Sequence, residues 1–268
     1  MAYVTTADGG RIYYEYHQGP KLPVILIHGW GTSVRVWDTT VPALRAAGHA
    51  VLAFDQRGCG QSDKDFPRNT IALGAEDALA VMQAAGVTRC AVNGWSLGGA
   101  IAVETADRLG TACAGVVLTA AASPRYVQCA DYPLGGAPGS ASATVGAMQA
   151  DRANFFDALT TGVFATPPTQ FMHAWMWSLF MQTSPVADDA LAELDVVDQR
   201  ATLQALSAPV LSLVGAKDVI VSPDVCRSVA DYAANCQVVE FESSGHAPFI
   251  EEGAAYRDTV ISFLSTLT

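Results

Sequence analysis

Short, almost wholly apolar runs alternate along this chain with longer stretches whose apolar residues return every three or four positions. The runs at 24–27, 50–54, 89–92, 115–118, 210–214 and 237–241 predict strands. Their shortage of polar positions is what a sheet covered on both faces requires. The longer stretches at 36–47, 71–85, 100–109, 223–234 and 254–267 predict helices. Near the start, strand-like runs at 3–6 and 11–16 flank Asp8-Gly9-Gly10, a hairpin signal. Strands that alternate with helices point to an α/β fold with a mostly parallel central sheet flanked by helices.

The alternation stops at residue 123 and resumes near 195. Pro, Gly and Ser dominate 133–140, and apolar, aromatic helical stretches follow at 145–159 and 171–181, with no strand-like run. A structureless loop of about 70 residues does not suit a compact domain. The expected organisation is therefore a core of 1–122 and 195–268, with 123–194 forming a helical cap inserted after the sixth strand.

Composition narrows the classes of function. Half of the 268 residues are hydrophobic and 15% are charged, which fits a packed globular chain. With 15 Lys and Arg against 26 Asp and Glu, the formal charge is −11. That sign argues against a nucleic-acid partner or an anionic membrane surface. The six cysteines form no C-x-x-C pair and no zinc-like spacing, and Cys90 and Cys113 fall in apolar runs as small core residues. No histidine pair or carboxylate cluster has ligand spacing, so neither a metal nor another cofactor is expected. The N-terminal residues lack the basic and apolar stretches of a signal peptide, and 111–122 is too short to span a bilayer. The expected location is the cytoplasm.

The candidate chemistry centres on Gly94-Trp95-Ser96-Leu97-Gly98, between the strand at 89–92 and the helix at 100–109. In that setting the glycines allow a sharp strand-to-helix turn that exposes a serine hydroxyl for attack on a carbonyl. A serine needs a base to take its proton. Of the five histidines, His17 reads as surface, His49 as a helix-to-strand turn, His173 as part of the aromatic cap and His28 as support for its own loop. His246, in a loop after the last strand, is the candidate base. An acid must fix the imidazole tautomer. Asp218 lies just past the strand at 210–214; Asp224, its rival, follows Ser222-Pro223 and suits the first turn of a helix. The backbone N–H of Leu97, and that of Trp30 within His28-Gly29-Trp30-Gly31, are the expected oxyanion donors. Trp30, Trp95, Trp175 and Phe249 are the expected pocket residues. The glycines of 55–62 lack a phosphate-loop lysine and read as a structural turn tied by Asp55 and Arg57.

The order Ser, Asp, His is that of the α/β-hydrolase superfamily, and the chain resembles that superfamily almost end to end outside the cap. His28-Gly29-Trp30-Gly31, Gly94 to Gly99 and Gly245-His246-Ala247-Pro248-Phe249-Ile250 resemble the pimeloyl-[acyl-carrier-protein] methyl ester carboxylesterase group. Ala150-Asp151-Arg152-Ala153-Asn154-Phe155-Phe156 is similar to cofactor-free haloperoxidases and perhydrolases. The resemblance implies Ser96 as nucleophile, Asp218 as acid, His246 as base, and Trp30 and Leu97 as oxyanion donors. It is specific for fold and far less so for substrate. Residues 123–194 hold two cations, Arg125 and Arg152, against six acids. That balance disfavours an acidic carrier protein and favours a small, neutral, fairly apolar ester or lactone. Peracid formation and C–C cleavage run on the same residues, and a ligand-sensing receptor could retain them.

Overall fold

The computed structural model describes residues 2–267. Eight strands form one sheet in the order β1-β2-β4-β3-β5-β6-β7-β8. The N-terminal hairpin, β1 (Ala2–Thr5) and β2 (Arg11–His17), joins it antiparallel; every pairing from β4 onward is parallel. The central strands β4 (His49–Phe54), β5 (Cys90–Trp95), β6 (Cys113–Thr119) and β7 (Val210–Gly215) are buried along their whole length. Helices therefore cover both faces, as the apolar runs demand. In the edge strand β8 (Cys236–Phe241) only Phe241 is buried, and the other positions are partly or fully exposed. Strand β3 (Lys21–Ile27) begins three residues earlier than its apolar run, because Lys21 already pairs with His49.

Several helices are shorter than their periodicity suggests. The stretch 36–47 is a 3-10 turn, Val34–Trp37, followed by α1 (Thr40–Ala46). Ser33 caps the turn, accepting from the N–H of Arg35. Helix α2 (Ile71–Ala84) starts where Thr70 accepts from the N–H of Leu73. Helix α3 (Leu97–Leu109) reaches back to the residue after Ser96.

Between β6 and β7 stand α4 (Ser140–Ala150), α5 (Arg152–Gly162), α6 (Gln170–Met181), α7 (Ala187–Glu193) and α8 (Arg200–Ala205). The single helix expected at 145–159 is two. Asp151 leaves the helical region (φ −152°, ψ 77°) and its carboxylate accepts from the N–H of Asn154, so it closes α4 and caps α5. Helix α9 (Pro223–Arg227) is followed by a 3-10 turn, and α10 (Pro248–Glu251) precedes α11 (Gly253–Ser265).

Two buried polar sets pin the core. Arg57 donates to Asp77 through Nε (2.6 Å) and Nη2 (2.9 Å) and to Asp8 (2.5 Å), while Asp55 accepts from the N–H groups of Val34 and Gln61. The 55–62 turn is thus structural. In β5, Asn93 donates to the Tyr256 hydroxyl (3.0 Å) and accepts from Thr119 (3.1 Å), which ties α11 to the strand that carries Ser96. Among the described residues no helix is long and apolar enough to cross a membrane.

Candidate active site

Ser96 joins β5 to α3 with φ 57° and ψ −122°, a conformation that L-residues avoid. The main chain holds it there. Its N–H donates to Thr119 O (3.0 Å), and its carbonyl accepts from Gly99 (2.8 Å) and Ala122 (3.0 Å). The flanking glycines are required by close approach. A Cβ on Gly94 would lie 2.0 Å from Gly98 O, and one on Gly98 would lie 2.4 Å from the carbonyl oxygens of Ile27 and His28.

His246 and Asp218 meet from loops 28 residues apart, with Nδ1 to Oδ2 at 2.7 Å and both side chains almost fully buried. The other carboxylate oxygen, Oδ1, accepts from the N–H groups of Ile220 (2.8 Å) and Val221 (3.1 Å). Each oxygen therefore has a separate task, and the aspartate cannot swing away from the ring. An Nδ1–H donor leaves the lone pair of the neutral imidazole on Nε2. The two loops touch backbone to backbone: a Cβ on Gly215 would lie 1.8 Å from Gly245 O, and Lys217 N–H donates to Ser244 O (3.0 Å). Asp224 is elsewhere, at the start of α9, exposed and paired with Arg227 (2.8 Å).

The 28–32 loop is locked from below. His28 is fully buried, and the Gln56 N–H donates to its Nε2 (3.0 Å). Nδ1 then carries the proton and donates to Gly29 O (2.8 Å). Burial lowers the His28 pKa and keeps the ring neutral. Gly29 is pressed against the Trp95 ring, where a Cβ would sit 2.9 Å away, and Gly31 has φ +74°. The backbone N–H groups of Trp30 and Leu97 have no acceptor among the described residues.

Ser96, His246, Trp30, Trp95 and Leu97 line one cavity of about 60 Å³. Its remaining wall is apolar, chiefly Tyr126, Leu159, Phe180, Leu194 and Ile220, and no Lys, Arg, Asp or Glu side chain lines it. Ser96 Oγ has no hydrogen-bond partner among the described residues; such contacts often tighten only when substrate is bound.

Two of the expected pocket residues lie outside this cavity. Trp175 and Phe249 line a separate groove with Arg35 and Arg257. Trp175 and Phe180 are five positions apart on α6, about 140° around the helix, so only Phe180 faces Ser96. Phe249 is wholly buried, its ring 4.9 Å from Trp37 and 5.0 Å from Trp95, where it supports the pocket from behind. His173 is also outside, near Asp157 (3.4 Å). Tyr126, Leu159 and Leu194 escape sequence reading because an apolar residue, whether in a helix like Leu159 or in a connection like Tyr126, has no mark that separates lining from packing.

A strand-to-helix serine, a buried His–Asp pair and a parallel sheet beneath them define a hydrolase architecture. The chain belongs to the alpha/beta hydrolase fold family, whose profile matches residues 23–253. It is 32% identical to a pimeloyl-[acyl-carrier protein] methyl ester esterase of Neisseria meningitidis serogroup C, over 88% of this chain and 93% of that one. It is 26% identical to a non-heme chloroperoxidase of Streptomyces lividans, over 99% of this chain and all of that one. An esterase from Exiguobacterium antarcticum has the same fold, with a TM-score of 0.93 at 24% identity, over 98% of this chain and 99% of that one.

Proposed function

We propose that the protein is a serine carboxylic-ester hydrolase that acts through an acyl-enzyme on small, neutral, apolar esters or lactones. The observation that carries this reading is the buried His246–Asp218 pair, whose His246 lines one cavity with a serine on a strained strand-to-helix turn. In the proposed reaction, His246 Nε2 takes the Ser96 proton as Oγ bonds to the acyl carbon. Asp218 stabilises the imidazolium, and the N–H groups of Trp30 and Leu97 take up the oxyanion. His246 then protonates the departing alkoxide. It next deprotonates a water that attacks the acyl-enzyme, which releases the acid and restores Ser96.

The cavity supports the substrate class. About 60 Å³ compares with the roughly 150 Å³ of an engineered cavity that holds benzene, so a short acyl group fits. The absence of a lining cation leaves an acyl carboxylate unpaired. We further propose that 123–194 acts as the cap over this cavity, and that its acidic balance separates this chain from relatives named for a carrier-protein ester. The likeness to a non-heme chloroperoxidase favours a second activity, in which hydrogen peroxide replaces water and the acyl-enzyme yields a peracid.

The test is hydrolysis of p-nitrophenyl acetate and butyrate by the wild type and by Ser96→Ala. The variant should lose turnover, and a fluorophosphonate probe should label the wild type at Ser96 alone. Undiminished turnover by the folded variant would refute the proposal.

A further inference from the structure

Beside the 28–32 loop, α7 buries a carboxylate that the proposed chemistry leaves unused. Asp188 is 3% exposed, and neither of its oxygens has a hydrogen-bond partner. The indole Nε1 of Trp30 is likewise buried without a partner. The two lie at one cavity wall: Leu191, three residues beyond Asp188 on α7, lines the active-site cavity together with Trp30. Burial pushes Asp188 up to about 6, against the Arg152 guanidinium and the Trp30 indole N–H, both of which draw it down. Its other ionisable neighbours are Asp189 on α7, which raises it, and the Cys59 thiol on the 55–62 turn, itself pushed up to about 12 by burial and therefore neutral.

The surroundings leave the indole few alternatives. Its ring packs 5.7 Å from Phe156 and 6.4 Å from Phe180, and those two rings stack at 5.3 Å. Arg152 lies 4.7 Å over the Phe156 ring and donates to the carbonyls of Phe180 and Thr183. Thr183 in turn donates to Gly31 O (2.6 Å), next to Trp30. The aromatic faces of Trp30 are thus packed by α5 and α6, while its one polar atom is left without a partner.

We propose that Asp188 is a positioning residue: its carboxylate holds the Trp30 indole N–H and thereby fixes the main-chain N–H of residue 30 for the oxyanion. The proposal rests on the reading of Trp30 as an oxyanion donor. An unmatched donor and an unmatched acceptor in a low-dielectric interior attract strongly, and the ionised acceptor does so more than the neutral acid. The loop is held in the carboxylate state and loosened when the acid is protonated.

Two measurements test this. The first is the fluorescence of Trp30, taken as the difference between the wild type and Trp30→Phe, titrated from pH 4.5 to 8. It should show a transition near pH 6 that Asp188→Asn abolishes. The second is a double-mutant cycle on short-chain ester hydrolysis. Asp188→Asn and Trp30→Phe should each lower kcat about tenfold, less than outright loss of an oxyanion donor. KM should stay within about twofold, and the double variant should be no worse than either single one. A flat difference titration, or additive losses in kcat, would overturn the proposal. If the wild type hydrolyses no ester, the hydrolase reading fails, while the fluorescence titration still decides whether Asp188 and Trp30 are joined.

Discussion

The indole Nε1 of Trp95 donates to the main-chain carbonyl of His246 at 2.7 Å, across 151 residues of sequence. The residue before the strained serine thus holds the loop that carries the imidazole, and the Trp95 ring also packs 5.4 Å from that imidazole. Trp95→Phe keeps most of the packing and removes the donor. It leaves a buried carbonyl unpaired, at a cost of about 1–3 kcal/mol. Thermal unfolding should shift down accordingly, and kcat for a short-chain ester should fall about tenfold through displacement of His246.

Asp218 and Asp224 are separable by substitution. Asp218→Asn presents an amide to His246 Nδ1 and favours the wrong tautomer, an effect worth about 10⁴ in kcat in the serine proteases. Asp224→Asn breaks only an exposed pair with Arg227, and exposed pairs contribute about 0–1 kcal/mol. Steady-state kinetics of the two variants should differ by orders of magnitude, with only the first impaired.

Leu159 reaches the cavity from α5 and is itself only partly buried. Leu159→Ala should enlarge the acyl site at little cost in stability. With the wild type, kcat/KM for p-nitrophenyl esters should decline beyond butyrate. In the variant the optimum should move to longer chains, each added methylene being worth up to about 0.8 kcal/mol where it is buried. A monoester of succinate should be poor with both proteins, because no cation lines the site.

Asp188 also makes a stability prediction. Its carboxyl titrates near 6 in the folded chain and near 3.9 when unfolded. Between those values the folded state binds the extra proton. The contribution of Asp188 is therefore fully present below about pH 4 and is lost as pH rises through 6. Asp188→Asn cannot ionise, so it should be more stable than the wild type above pH 6.5, by on the order of 2 kcal/mol. That advantage should shrink toward pH 4, as chemical denaturation at several pH values would show.

The sheet was legible because its strands are buried on both faces and so carry an unbroken apolar signal, as in His49–Phe54. The serine turn was legible because steric demands on Gly94 and Gly98 leave little choice of residue. The pairing of Asp218 with His246 was legible because each lies in the loop that follows one of two neighbouring strands, β7 and β8. The region between β6 and β7 was harder. The break at Asp151 depends on one side chain capping the next helix, a preference that helical periodicity does not carry. Which aromatic residues face Ser96 depends on how α6 is rotated against its neighbours. That placed Phe180 at the cavity and Trp175 away from it, although both sit in the same apolar stretch. The partnership of Asp188 with Trp30 leaves no sequence trace, since an aspartate in a first helical turn ordinarily reads as solvent-facing.

The residues that follow α5 are sewn to the loop that carries His246. Val163 O accepts from the His246 N–H (2.8 Å), and Glu251 accepts both from Ala165 N–H and from Gly245 N–H (each 2.7 Å). At the far end of α6, Thr183 is stitched to Gly31. A wholesale lift of the helical layer would unseat the His246 imidazole and the 28–32 loop in the same movement. An entry route that leaves both loops in place is therefore expected on the α4 side, where Thr144 borders the cavity, and not along this seam.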